Sequence, residues 1–396
     1  MSGRRRSGFL RSAGSLAVLV VLTAGVTAPA ATAAPLTITV LGALPGDIAS
    51  AVEDLNEAGT VIGRSLSAKA ADGTWNERAV RWSPEGTITA LPLPAGVPRT
   101  AYSKPVAIND AGFITGYARY GPAGGYEYRA LRWAPNGKVT ELKPLPGDMR
   151  ATPKGISRNG TVAGESYDVN GEHHAVKWAL DGTVTTLSPL PGSTGARVHF
   201  INANNMVVGI SEGGGSPSHA VKWDPDGTVK DLHPFIGVAY AVNDAGVISG
   251  WNENGHGSRL DPNGTVADFG RHGYTSNIGP DGTVVGCFYI SVWATTAMRW
   301  APDGTPTTLP GLPTHNNSRA VNMNASGTVV GHTSRTEQMN FVETSAVKWS
   351  PDGTITVLDT LPGSKHSSAA HINSAGTIAG TAENADENSH AVVWRS

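Results

Sequence analysis

The sequence is short of cysteine, charge and long apolar runs, and each shortage excludes something. Cys287 is the only cysteine in 396 residues, so no disulfide can form within the chain. A small exported domain depends on such staples, whereas about 360 residues can bury enough core without them. Gly286 and Phe288-Tyr289-Ile290 flank Cys287 as a strand would. With no base beside it, the thiol is expected to be buried structure rather than a nucleophile. Charged residues make up only 16 % of the chain and leave a net charge of −2. That argues against nucleic acid or an anionic membrane surface as partner, since either needs a basic face. No stretch carries the 3.6-residue apolar period, so little helix is expected.

The one apolar run, Leu16 to Val26, follows Arg4, Arg5, Arg6 and Arg11 and precedes Ala31-Thr32-Ala33. A basic stretch, a short apolar stretch and a small-residue site form the pattern of a cleaved secretion signal. The run falls well short of the roughly 20 residues of a membrane span. Residues 1–33 are therefore expected to be a signal peptide and residues 34–396 one secreted, extracellular domain with no membrane span. Sec and twin-arginine export both remain open. Without the signal's four arginines, 26 basic residues stand against 32 acidic ones, a net charge of −6.

What the chain has in abundance is glycine, 49 residues, and much of it recurs in one pattern. An apolar residue, Asn, two variable residues, Gly, three more and a closing Gly recur eight times. The Asn position holds Asn56, Asn109, Ser157, Asn202, Asn243, Gly279, Asn324 and Asn373. The closing glycines are Gly63, Gly116, Gly164, Gly209, Gly250, Gly286, Gly331 and Gly380, a mean period near 45 residues. A fixed period of this size marks a repeat architecture. Each copy continues into Ala-Val-(Lys/Arg)-Trp and a Pro-Asp-Gly-like turn. Its tryptophans are Trp82, Trp133, Trp178, Trp223, Trp300, Trp349 and Trp394, with Leu260 replacing the tryptophan of repeat five. Such turns join antiparallel strands. Every repeat thus reads as four short strands: one ending at the Asn, one following the Gly, one ending at the Trp, and one such as Thr354 to Leu358.

The last repeat stops at Val393-Trp394-Arg395-Ser396, one strand short, and Leu36 to Leu41 reads as that missing strand. A ring joined by strand exchange between its ends needs this arrangement, whereas an open solenoid would want polar caps. The expected fold is an all-β propeller of about eight four-stranded blades, with seven left open because repeat six follows after only 36 residues. The motifs His174-Ala-Val-Lys-Trp178, His219-Ala-Val-Lys-Trp223 and His390-Ala-Val-Val-Trp394, with their Ile-Asn-x-x-Gly and Leu-Pro-Gly-Asp companions, resemble the HAF repeats of secreted bacterial proteins. The likeness covers essentially the whole chain after the signal and weakens in repeats five and six. It implies secretion and an all-β repeat fold, and it carries over no catalytic residues.

Within a blade the first–second and third–fourth connections share one face, and these turns hardly vary. The second–third loops vary widely, so the opposite face and its channel mouth are the candidate binding surface. Gly209-Ile-Ser211-Glu-Gly213 matches a nucleophile-elbow pattern, but that needs a following helix, and Gly63-Arg-Ser65 and Gly164-Glu-Ser166 show its first half to be repeat chemistry. The histidines before Ala-Val occur singly in successive repeats, which does not make a metal site. The cations before the tryptophan, such as Arg81, Lys177 and Lys348, are expected to pair with carboxylates of their own turns. The residues that break the pattern attract attention instead: Trp251, Asn252, Glu253 and Asn254 in repeat five, His272 and Tyr274 in the loop after it, and Tyr289 and Trp293 in repeat six. Tyr117, Tyr120, Tyr126 and Tyr128 form a second, tyrosine-rich rim in repeat two.

Two functions fit. In the first, the domain is a non-enzymatic module that binds an extracellular glycan or protein through Trp251, Asn252, Asn254, His272, Tyr274, Tyr289, Trp293, Tyr126 and Tyr128. It would act as a monomer without metal or cofactor. In the second, it is a secreted glycan lyase or hydrolase, for which Glu253, His272 and Tyr274 are the nominated acid–base group.

Overall fold

The protein is described here by a computed structural model covering residues 36–395, apart from 69–75, 122–125, 216–217, 292–293 and 338–339. The expected signal peptide and Trp293 lie outside these residues. Every regular element among the described residues is a β-strand, and no helix is long and apolar enough to cross a membrane.

Repeat three shows the unit at its plainest. Arg150–Ile156, Val162–Tyr167, His173–Trp178 and Val184–Thr186 form an antiparallel meander in chain order. The expected four strands are all present. Its closing glycine, Gly164, lies opposite a bulge in the first strand, where a Cβ would sit 2.2 Å from the Thr152 carbonyl oxygen. No side chain fits there, which accounts for a glycine at the same place in all eight repeats. Six such sheets are separate, and the last of them is completed by Thr37–Val40 pairing with the strand Ser389–Arg395.

Repeats five and six depart from this plan. They share one strand, Val266–Ile278, which pairs first with His256–Leu260 and then with Val284–Ser291, giving a single seven-stranded sheet. Repeat five lacks the Leu-Pro-Gly exit loop of its siblings, and Gly270, at φ +70°, lets the strand swing from one partner to the next. This shortens the repeat. It also corrects the sequence-based placement of His272 and Tyr274, which lie on a strand and not in a loop.

Apolar cores sit between consecutive sheets. Ala163, Ala175 and Leu187 of repeat three pack against Val198, Val207, Val221 and Trp223 of repeat four. The alanine before each Val-x-Trp is small because its side faces the next repeat's core, as Ala346 does toward the cluster around Trp394. Five tryptophans also donate Nε1–H to a carbonyl in the preceding repeat's exit loop, for example Trp178 to Lys143 at 2.7 Å and Trp349 to Pro310 at 2.8 Å. Repeat five has no such loop, and Trp300 of repeat six instead stacks on Phe269 with centroids 4.5 Å apart.

The repeat's asparagines join sheets together. Asn109 Oδ1 accepts the Phe113 N–H of its own turn, while its Nδ2 donates to the Ser157 carbonyl of the next repeat at 2.7 Å. Asn202, Asn243 and Asn324 reach forward in the same way, and Asn373 of the last repeat reaches Asn56 of the first at 3.3 Å. Arg81, Lys177 and Arg299, three of the cations before the tryptophans, act similarly, which corrects for them the expectation that they serve their own turns. Arg81 donates to the Pro135 carbonyl, Lys177 to Pro225 and Arg299 to Pro351, each in the following repeat's turn, and Arg395, which follows Trp394, donates to Pro84 in the first repeat's turn. Lys222 and Arg259 do meet carboxylates of their own turns, Asp224 and Asp261. Sheets packed in series through their first strands are the propeller arrangement.

Candidate functional site

Three positions in the repeat vary within an otherwise regular pattern. One is the residue after the closing glycine: Arg64, Tyr117, Glu165, Ile210, Trp251, Cys287, His332 and Thr381. The second lies opposite it on the first strand, as Lys104 does to Tyr117, Tyr274 to Cys287 and Arg319 to His332. The third is the bulged residue two places further along that strand, such as Glu53, Lys154, His199 and Tyr240. First strands touch the first strands of the neighbouring repeats, so these side chains meet across repeat boundaries.

In the early repeats they neutralise one another. Arg64 sits between Glu53 at 2.7 Å and Glu77, and Glu53 also takes Lys104 at 3.1 Å. Glu165, almost wholly buried, accepts from the Tyr167 hydroxyl at 2.6 Å and has Lys154 at 3.3 Å. Arg197 meets Glu212 at 2.6 Å.

From repeat four to repeat six the same positions turn aromatic. His199 stacks on Tyr240 at 5.9 Å, Tyr240 meets the edge of Trp251 at 5.4 Å, Trp251 lies 5.1 Å from Tyr274, and Tyr274 packs on Tyr289 at 5.3 Å. The Arg319 guanidinium of repeat seven stands 5.4 Å from the Tyr274 ring centre, within cation–π reach. Beside this run opens a cleft of about 420 Å³, with Tyr274, Tyr289 and Thr295 on one side and Arg319, His332, Ser334 and Phe341 on the other. Asn317 stiffens it, accepting the Thr295 N–H at 2.9 Å and donating to Thr336 Oγ1 at 2.9 Å. Tyr289 and Phe341 are exposed at the mouth, Phe341 by 66 %.

The titratable groups here are almost all neutral. Burial, with Arg319 close by, holds the His332 imidazole down at about 4. Burial pushes the Cys287 thiol up against the opposing pull of Arg319. That leaves a protonated, fully buried sulfur, as the sequence led one to expect. Burial and a hydrogen bond with Tyr274 push the Tyr289 phenol up to about 12. At neutral pH Arg319 is therefore the one charged side chain among the described residues lining the cleft.

The residues nominated from sequence divide accordingly. Trp251, Tyr274 and Tyr289 come together in the aromatic run. Asn252 uses its side-chain oxygen on the N–H groups of Asn254 and His256, closing its own turn, and Asn254 is exposed on that turn. Glu253 pairs with His233, while His272 faces the Gly255 carbonyl at 3.2 Å and the ring of His256. No hydrogen bond or ion pair links Glu253, His272 and Tyr274 among the described residues. Tyr126 lies under Arg119 at 4.6 Å and Tyr128 under Arg150 at 5.3 Å, so the second rim is an alternation of tyrosine and arginine. Ser211 of the elbow-like motif is buried and accepts the Leu190 N–H at 2.9 Å, a structural bond shared with Ser65 and Ser166. His174, His219 and His256 each face an aspartate, and no three His, Cys, Asp or Glu side chains cluster as metal ligands among the described residues. Tyr240, Arg319, His332 and Phe341 were not anticipated. The signal for Tyr240, Arg319 and His332 was the variability at the inner positions, the bulged one included, of an otherwise regular repeat.

No family model and no curated protein sequence matches the chain. Several solved structures are similar to it. Dipeptidyl peptidase 4 from Porphyromonas gingivalis superposes with a TM-score of 0.55 at 12 % identity, over 89 % of this chain and 58 % of that one. A prolyl endopeptidase gives 0.53 at 11 % identity, over 85 % and 54 %. The β-propeller domain of the trilobed protease from Pyrococcus furiosus gives 0.48 at 12 % identity, over 79 % and 96 %. At these identities the likeness to the two peptidases is one of fold, and the chain spans little more than half of each.

Proposed function

We propose that the chain is a secreted, HAF-type propeller that binds a glycan in the cleft between repeats six and seven. Secretion rests on the arginine-rich, apolar and Ala-x-Ala sequence of residues 1–33. An eight-bladed closed ring is favoured by eight four-strand sets, two of them sharing a strand. Bonds between the last and first repeats favour it too: Asn373 to Asn56, Arg395 to Pro84, and Ala391 N–H to Ser50 Oγ at 2.9 Å.

The observation that carries the binding reading is the composition of the cleft. Exposed aromatic faces, Tyr289 and Phe341, stand beside a rigid polar set that includes Asn317, Ser334 and Thr336. Sugar rings have apolar faces that pack on such side chains and hydroxyl edges that need fixed hydrogen-bonding partners. Binding is preferred to catalysis because no carboxylate lines the cleft among the described residues to act as acid or base, and Glu253 and His272 are engaged elsewhere. The test is a glycan array probed with the purified full-length chain and with a Tyr289→Ala/Phe341→Ala variant. Specific signals that disappear in the variant are expected. An empty array together with stoichiometric capture of one protein would replace the glycan with a protein partner.

A further inference from the structure

The charge balance of the inner positions separates Arg319 from every comparable cation. Arg64, Lys104, Lys154 and Arg197 occupy equivalent rows, and each has a carboxylate within 3.3 Å. Arg319 makes no ion pair among the described residues, and the acidic groups of the neighbouring hairpin lie beside other cations or rings, Glu337 at 3.7 Å from Arg335 and Glu343 at 3.7 Å from His315. Its guanidinium is exposed, and it is steadied by the Tyr274 ring. From this we infer that the cleft takes an acidic sugar whose carboxylate sits on Arg319 while its ring packs on the aromatic wall. The inference rests on the glycan reading and adds the charge of the ligand.

The chemistry is specific. A guanidinium presents paired N–H donors in the plane that a carboxylate accepts, so the contact fixes orientation as well as charge. Among the described residues the cleft lining contributes no carboxylate that would repel such a ligand, and His332 stays neutral, so its ring can serve as a hydrogen-bonding partner without adding charge. Water-exposed lysines would attract any anion loosely, whereas a single arginine beside an aromatic face discriminates between an acidic sugar and its neutral counterpart.

The test compares trigalacturonate with the neutral trisaccharides cellotriose and maltotriose by isothermal titration, using the full-length chain and the variants Arg319→Met and Arg319→Lys. Wild type is expected to prefer trigalacturonate by roughly tenfold or more, the size of one charge-assisted contact. Arg319→Met should abolish the preference, its loss falling mainly on trigalacturonate, and Arg319→Lys should keep part of it. Thermal melting should be nearly the same in all three proteins, because Arg319 makes no ion pair among the described residues and its fold contacts are one ring face and a thiol. Equal affinity for acidic and neutral sugars, or a preference that survives Arg319→Met, overturns the inference and leaves the glycan reading standing. If none of the sugars binds and the glycan array is also empty, both fall together.

Discussion

The inner positions of repeats one to four and those of repeats five to seven occupy the same places in the repeat and do opposite things. In the first sector Arg64, Glu53, Lys104, Lys154, Glu165 and Arg197 neutralise one another, so the charges are used up inside the fold. In the second, Trp251, Tyr274, Tyr289 and Arg319 pack without a carboxylate, leaving aromatic faces and one cation open to a cleft. Partly buried charges in a protein are paired or they are costly. The sector in which pairing stops is therefore the one shaped by something other than stability, and repeats five and six are also where the sheet plan is disturbed.

Substitutions can sharpen this contrast or break it. The largest effect is expected at a structural tryptophan. Trp178→Ala removes a fully buried ring and its bond to Lys143, and it should cost about 3–5 kcal/mol in urea unfolding. Trp251→Ala, half-exposed in the other sector, should cost less than about 2 kcal/mol and act mainly on binding. Similar losses at both positions would erase the distinction.

Acid should find the second sector through His332. Its folded value is about 4, while in an unfolded chain the imidazole titrates near 6.5. Above that range the group is neutral in both states and its contribution is complete. As pH falls toward 4 the unfolded chain takes up a proton that the folded one refuses, and stability is lost. Below 4 both states are protonated and the loss levels off. His332→Gln should flatten this part of the pH profile by about 3 kcal/mol relative to wild type, measured as unfolding free energy between pH 7 and pH 4.

Arg64→Met strands Glu53 and Glu77 beside each other and should destabilise by about 2 kcal/mol, whereas Arg319→Met should change stability by less than about 0.5 kcal/mol. A stability loss at Arg319 equal to that at Arg64 would mean that both sectors are built for the fold alone. The smallest effect concerns the links between sheets. Asn109→Ala leaves the Ser157 carbonyl and the Phe113 N–H without their partner, for about 1–2 kcal/mol in denaturant unfolding.

The repeat unit was legible in the sequence because its signals are local. Asn-x-x-Gly and Pro-Asp-Gly dictate turns, and the alternation in Ala-Val-Lys-Trp dictates a strand with a buried tryptophan. What lay outside the sequence were contacts between repeats. Nothing in Ile108-Asn109 says that one side of the amide serves its own turn and the other a carbonyl 48 residues on. Lys177 stands close to Asp181 in sequence, yet the sheet carries it to the Pro225 carbonyl of the next repeat. The site was half-legible for the same reason. Trp251, Tyr274 and Tyr289 stood out as breaks in the pattern, whereas Arg319 resembles the other inner cations until its lack of a carboxylate is seen. His272 and Tyr274 were misplaced in a loop because a missing exit motif leaves no positive mark in a sequence, only a shorter interval.

The most direct test of a glycan cleft in the aromatic sector is isothermal titration of the strongest array oligosaccharide against three proteins. These are the wild-type chain, Tyr289→Ala/Phe341→Ala, and Tyr117→Ala/Tyr128→Ala from the tyrosine–arginine rim. The expected result is affinity weakened roughly tenfold or more in the first variant and unchanged in the second. Equal affinity in all three, or loss only in the second, would contradict the assignment.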